Sequence, residues 1–203
     1  MSNAHPSSHL TAAAPPPHPE PVLRGDLAMW LIVAMEMLTF GLLFVVFAAA
    51  RLREPELFAA GQATLELGVG ALNTAVLLAG SWAVARGVQA LRAGQTRGGV
   101  AGLLGGAACG LLFLGAKAFE YQGKAAAGYD LSTDTFFMFY YLLTGFHVLH
   151  VLAAVLMLLA IALQARDGRW SRGQAHAPET VAAFWHMVDL IWIVLFSLVY
   201  VLR

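Results

Sequence analysis

The stretch TFFMFYYLLTGFHVLHVLAAVLMLLAIALQA, residues 135–165, contains no Asp, Glu, Lys or Arg. An α-helix rises about 1.5 Å per residue, so about 20 apolar residues cross the roughly 30 Å hydrocarbon core of a bilayer. This stretch is therefore long enough to span a membrane. Four further stretches of the chain are similarly apolar, and together they give predicted spans at 26–50, 67–85, 98–119, 135–165 and 180–202.

The composition agrees with a membrane protein and excludes several other classes. Hydrophobic residues make up 59% of the chain and charged residues only 12%, against about a quarter charged in soluble domains. Net charge is zero and basic residues do not cluster, so nucleic-acid binding has no electrostatic basis. Short polar intervals and the lack of strand-like alternation predict an all-α, five-helix transmembrane bundle over residues 26–203.

The first 25 residues form a block of different composition. Six of the eight prolines of the chain fall within it, among small and polar residues. Such a segment has little apolar surface to bury, so residues 1–25 are predicted to be a disordered, proline-rich tail.

Orientation is predicted from the distribution of Lys and Arg around the spans. Seven basic residues fall on the side of the N-terminus and five on the opposite side. The bias predicts a cytoplasmic N-terminus and a C-terminus outside.

The third span carries a glycine at every fourth position. Gly98, Gly102, Gly106 and Gly110 would form a nearly straight groove on one helix face, where another backbone can approach closely. The pattern favours a tight helix contact, either with another helix of this chain or with a partner subunit.

Polar and ionisable residues inside the spans are the candidate site residues, because such groups are costly at bilayer depth. The set comprises Glu36, Asn73, Lys117, Glu120, His147, His150, His186 and Asp189. Three readings are open: a buried polar network that fixes packing, histidine ligands for haem or another metal, and a relay for protons or ions. The network is favoured, with no catalytic residue and no metal. A relay is less favoured because the sequence lacks the inverted repeats and broken spans of many transporters.

Segments in every span resemble one known family. FFMFYYLLTGFHVLHV (136–151) and FWHMVDLIWIVLFSLVY (184–200) resemble the signature segments of subunit III of the haem–copper oxidases. AMWLIVAMEMLTFGLLF (28–44) is similar to the glutamate-bearing helix of that family, LNT (72–74) to a motif of the next helix, and FEY (119–121) to a helix end. These matches occur in order along the chain, from about residue 24 to the C-terminus.

The resemblance implies a function. Subunit III carries no redox centre, packs against the catalytic haem-containing subunit and holds phospholipid in a cleft, so no cofactor is expected beyond a bound phospholipid. The five spans match the larger helix bundle of the seven-helix form, and GDLAMW and the terminal YVLR are most similar to the accessory E protein of nitric oxide reductase. The resemblance also implies a bacterial-type plasma membrane and a Glu36 that is neutral or paired with His147 or His150. The alternative is a haem- or quinol-binding electron carrier.

Overall fold

All regular structure that the computed structural model describes, in residues 27–170 and 176–202, is helical. The helices are α1 (Leu27–Arg53), α2 (Pro55–Ala63), α3 (Leu67–Arg92), α4 (Thr96–Ala126), α5 (Thr135–Arg166) and α6 (His176–Phe196), and a π-helical segment, Ser197–Val201, continues α6. Over these ranges, five helices are long and apolar enough to cross a membrane, namely α1, α3, α4, α5 and α6 with its π-helical extension. The predicted all-α, five-span fold is confirmed, and the predicted tail, residues 1–25, lies outside the described residues.

Three of the long helices are followed by a glycine two residues after their last helical residue. Gly94, Gly128 and Gly168 have φ of 76°, 83° and 76°, a left-handed conformation that costs glycine little. After α3, the N–H of Gln95 donates to the carbonyl of Ala90 at 2.8 Å, which is the six-to-one bond of a Schellman motif. These turns reverse the chain after α3 and α4 and end α5.

The helices extend further than the apolar stretches that predicted them. α3 continues to Arg92 rather than residue 85, and α4 runs from Thr96 to Ala126 rather than from 98 to 119. Hydropathy reports where a helix meets lipid, whereas these polar turns remain helical outside that zone. The short helix α2 is an element that the sequence reading missed, although Pro55 at its first turn is a typical start signal.

Four helices form the body of the bundle, and α1 lies outside it. α3, α4, α5 and α6 each pack on two of the others, and α1 contacts α5 and α6 from one side. Only Phe40 and Phe47 of α1 are buried within the described part of the chain. Many of its other side chains, among them Leu31, Met35 and Leu38, are exposed and apolar, and they form a surface available to lipid or to a neighbouring subunit.

The predicted glycine groove on α4 faces inward, toward α3. A Cβ added at Gly102 would lie 2.7 Å from the carbonyl oxygen of Ala83 and 2.7 Å from the backbone nitrogen of Gly87. At Gly106 it would lie 3.3 Å from the carbonyl oxygen of Gly80. The backbones of α3 and α4 therefore lie closer together than a Cβ at these positions would permit. This part of the groove packs against a helix of the same chain.

The two ends of the groove differ from its middle. Gly110 faces the side chains of Val155 on α5 and Trp185 on α6, whereas a Cβ at Gly98 would meet Ala90 at 3.3 Å, near the end of α3. The glycine repeat therefore contacts three helices of this chain, α3, α5 and α6.

Candidate functional site

The most completely bonded polar group in the bundle surrounds Lys117. The lysine is fully buried, and its ammonium donates to Glu120 Oε2 at 3.2 Å, to the hydroxyl of Tyr140 at 3.2 Å and to that of Tyr200 at 2.9 Å. An ammonium has three N–H donors, so its capacity is filled. Both tyrosine hydroxyls in turn donate to Glu120 Oε1 at 2.6 Å. We call these four residues the Lys117 cluster.

Aromatic rings enclose the same ammonium. The rings of Tyr121, Tyr140, Trp192 and Tyr200 have centroids 4.9–5.7 Å from Lys117 Nζ. A cation near the face of such rings is attracted by their quadrupoles, and the attraction is larger where water is excluded. The charge is thus stabilised by a carboxylate, two hydroxyls and four rings.

The position of Tyr200 depends on α2, the helix that the sequence did not predict. Gln62 is buried, and the two N–H groups of its amide are shared among the carbonyls of Leu198, Val199 and Leu202, which lie 3.2, 3.1 and 2.9 Å from its nitrogen. The last carbonyls of a helix have no intrahelical N–H donor, and here Gln62 provides the donors. The C-terminal π-helical segment is fixed in this way, with Tyr200 directed into the Lys117 cluster.

Glu36 and His150 form a second, separate pair between α1 and α5. His150 Nε2 lies 3.1 Å from Glu36 Oε2, and His150 Nδ1 lies 2.8 Å from the carbonyl oxygen of Phe146. Because a carbonyl only accepts, Nδ1 carries a hydrogen, and the Glu36 contact then needs one further proton between carboxylate and imidazole. The side chain of Glu36 is 25% exposed, so this pair is at the surface of the bundle.

His147 has a different environment from His150, although the two are three residues apart. It is fully buried, stacks on Trp192 with centroids 5.1 Å apart and meets the edge of Phe113 at 5.6 Å. Neither ring nitrogen has a hydrogen-bond partner among the residues that the structure describes. Its role in this structure is that of a packed ring.

The polar residues of α3 and α6 form short local contacts. His186 Nδ1 and the hydroxyl of Ser81 are 2.6 Å apart, and the indole N–H of Trp192 donates to Thr74 at 3.0 Å. One oxygen of Asp189 and the amide nitrogen of Asn73 are buried without a hydrogen-bond partner in the described ranges.

The hypothesis of one mutual network among the eight predicted residues is therefore wrong in part. The structure forms the Lys117–Glu120 and Glu36–His150 pairs, but His147, His186 and Asp189 do not bond to one another. Residues three apart on a helix differ by about 60° in direction and about 4.5 Å in height. Their side chains consequently meet different neighbouring helices, and Ser81 and the tyrosines, which the sequence reading did not select, are the actual partners.

The reading of His147 and His150 as a shared ligand pair also meets a geometric difficulty. One imidazole is packed between Phe113 and Trp192, and the other is directed to Glu36. Over residues 27–170 and 176–202, no group of three or more His, Cys, Asp or Glu side chains is arranged to hold a metal ion.

Comparison with known proteins identifies the family. A model of the family described as cytochrome c oxidase subunit III matches residues 14–203. The chain is 33% identical over 186 residues to cytochrome c oxidase subunit 3 of Thermostichus vulcanus, covering 91% of this chain and 90% of that protein. It is also 33% identical over 186 residues to the protein of the same name in Synechocystis, covering 91% of this chain and 78% of the relative.

A further relative is a longer protein. The chain is 28% identical over 191 residues to the heme-copper oxidase subunit I+III of Aeropyrum pernix, which covers 91% of this chain and 23% of that protein. Family match, relatives and the five-span helical fold agree, and the chain belongs to the cytochrome c oxidase subunit III family.

Proposed function

We propose that this chain is a non-catalytic accessory subunit of a haem–copper oxidase, packed beside the catalytic subunit in a respiratory membrane. The observation that carries the proposal is the alignment of 91% of the chain with a protein whose name joins subunits I and III. A chain similar to the subunit III part of such a protein has the catalytic subunit as its natural neighbour in the bilayer.

The polar side chains of the bundle support an accessory role. The ammonium of Lys117 uses all its donors inside the chain, and Glu120 accepts from both tyrosines. Groups so engaged stabilise one packing of the helices, whereas a catalytic acid or base needs a substrate within hydrogen-bond reach.

Co-purification tests this proposal. An affinity tag on the C-terminus of the full chain, expressed in its own host, is expected to retain a haem-containing subunit through mild detergent extraction. Isolation of the tagged chain with no haem protein, from membranes that contain the oxidase, would contradict it.

The finer proposals concern the identity of the catalytic partner, the type of membrane and the orientation of the chain in it. The resemblance of GDLAMW and YVLR favours the catalytic core of a nitric oxide reductase as a second candidate, in a bacterial plasma membrane. The bias of Lys and Arg around the spans favours a cytoplasmic N-terminus. Extraction and identification of the haems in the co-purified complex, together with its rates of oxygen and nitric oxide reduction, distinguish the two cores. Protease access to an N-terminal tag in inverted membrane vesicles tests the orientation.

A further inference from the structure

An open groove of about 360 Å³ between α1 and α6 brings two methionines and a histidine together. Met37 of α1 lines it from one side, and His186 and Met187 of α6 line it from the other. Trp30 borders the same groove nearer the start of α1. Met37 is exposed and Met187 is buried, so the groove leads from the surface of the bundle toward its packed interior.

The hydrogen position on His186 follows from its neighbours. Its Nδ1 lies 2.6 Å from the hydroxyl of Ser81 on α3, and the carboxylate of Asp189 is near the same hydroxyl. A carboxylate only accepts hydrogen bonds, so the Ser81 O–H is directed to Asp189 and the Ser81 oxygen accepts from Nδ1–H. Nε2 of His186 then carries a lone pair, on the edge of the ring that is turned away from α3.

This arrangement is the support that a metal-binding histidine needs. Such a histidine usually donates its second ring N–H to an acceptor, which fixes both the ring and its tautomer. Asp189 is buried, and one of its carboxylate oxygens has no hydrogen-bond partner in the described part of the chain. A buried carboxylate is stabilised by a cation nearby, so a monovalent cation at Nε2 would balance its charge.

We propose that this groove binds one copper(I) ion through the thioether sulfurs of Met37 and Met187 and through Nε2 of His186. Soft thioether ligands select Cu(I), and imidazole also binds copper, whereas Mg²⁺ and Ca²⁺ prefer oxygen ligands. Methionine has three rotatable bonds, so both sulfurs can turn toward one ion. Trp30 adds an aromatic ring to the groove, and such a ring attracts a cation. The site adds metal binding to the accessory role and involves no electron transfer.

Competition with a chromophoric chelator measures the affinity. The purified full chain, with an affinity tag that contains no histidine, is titrated anaerobically in detergent with the Cu(I) complex of bicinchoninate. We expect the chain to remove copper from the chelator, and X-ray absorption of the loaded chain to show sulfur next to the copper. The sulfur signal separates this groove from the histidines near the N-terminus, which offer only nitrogen: His5, His9 and His18. Copper surrounded by nitrogen and oxygen alone would overturn the proposal.

Met37→Leu and Met187→Leu are the decisive variants, because leucine preserves the volume of methionine and removes its sulfur. Each is expected to weaken Cu(I) binding about tenfold or more, at least the effect of losing a contact that supports a ligand. The matched control is Met35→Leu, which changes a 68% exposed methionine about 200° around α1 from Met37 and is expected to leave the affinity unchanged. Unchanged affinity in both decisive variants would refute the site.

Ser81→Ala tests the part of Ser81 as a positioning residue. The three ligands stay in place, but the imidazole loses the acceptor that fixes its tautomer. We expect the affinity for Cu(I) to fall about tenfold, while X-ray absorption still shows sulfur next to the bound copper. Unchanged affinity in this variant would contradict the orientation given to His186. All variants are expected to keep the helical circular dichroism spectrum of the parent chain.

Discussion

Removal of the charge that faces Lys117 is the sharpest test of how the bundle is held together. Glu120→Gln preserves the shape of the side chain and one acceptor oxygen, so the hydroxyls of Tyr140 and Tyr200 keep an acceptor. The ammonium of the buried Lys117 loses its counter-charge and faces an amide. Breaking a buried pair costs about 3–5 kcal/mol and inserting a charge at bilayer depth about 2.5–3.5 kcal/mol. We therefore expect a loss of about 3 kcal/mol in the free energy of unfolding.

A double-mutant cycle separates the ion pair from ordinary packing. Lys117→Met is expected to cost less than Glu120→Gln, because the Glu120 side chain is 11% exposed and keeps both tyrosine donors. The double variant contains no unpaired charge, so it is expected to be more stable than Glu120→Gln alone. The coupling energy is expected to be about 2 kcal/mol.

The measurement is unfolding of the full chain in mixed micelles by increasing sodium dodecyl sulfate, followed by circular dichroism and tryptophan fluorescence. Glu179→Gln serves as the control, since its exposed ion pair with Arg92 is expected to contribute less than about 1 kcal/mol. A change below about 0.5 kcal/mol in Glu120→Gln, or a coupling energy near zero, would refute the role given to the Lys117 cluster.

Three further predictions concern other parts of the chain. Gly102→Ala is expected to destabilise the bundle by about 1–3 kcal/mol, because its Cβ would meet the α3 backbone at 2.7 Å, whereas Gly115→Ala, with no atom within 4 Å, is expected to have little effect; thermal unfolding of the two variants compares them. Glu36→Gln is expected to lower stability by less than about 1 kcal/mol, since an amide N–H of the new side chain can donate to His150 Nε2 and leaves no unpaired charge in the span, and a loss above about 3 kcal/mol in the same unfolding assay would contradict this. Hydrogen bonds from Ser132 and Thr133 lower the pKa of Asp130 in the exposed α4–α5 loop. The turn is therefore fully stabilised above the ordinary carboxyl pKa, and we expect it to loosen as the pH falls through the lowered pKa. The NMR amide resonance of Ser132 reports this change, and loosening already near neutral pH would contradict the prediction.

The spans were predictable because the bilayer imposes a simple length and polarity on them. Residues 135–165 were predicted as a span, and α5 occupies Thr135–Arg166. The ends of α3 and α4 were harder to predict, because polar turns beyond the hydrocarbon stay helical until a glycine reverses the chain. Gly94 and Gly128 were visible in the sequence and would have located those ends more accurately.

The ion pairs were predictable only where both partners were close in sequence or shared a known motif. Lys117 and Glu120 lie one turn apart on one helix, so spacing alone suggests their contact. Tyr200 is 83 residues from Lys117 and reaches it only because Gln62 of α2 fixes the C-terminal segment. Such contacts depend on tertiary packing, which the hydropathy pattern does not contain.

The same limit explains the error over His147. Two histidines three residues apart on one helix suggested a common role, yet each meets a different helix and a different chemical environment. Trp192 supplies the stacking surface for one ring, and Glu36 the carboxylate for the other. A motif identifies the family, but the partner of each side chain follows from the packing.

We expect this chain to contribute packing, and no redox centre, to an oxidase complex. The most direct measurement is the reduced-minus-oxidised visible spectrum of the tagged chain, recorded first in the co-purified complex and then after its release by harsher detergent. We expect haem bands in the complex and none in the isolated, still helical chain. A haem band that remains with the isolated chain in a one-to-one ratio would contradict the account.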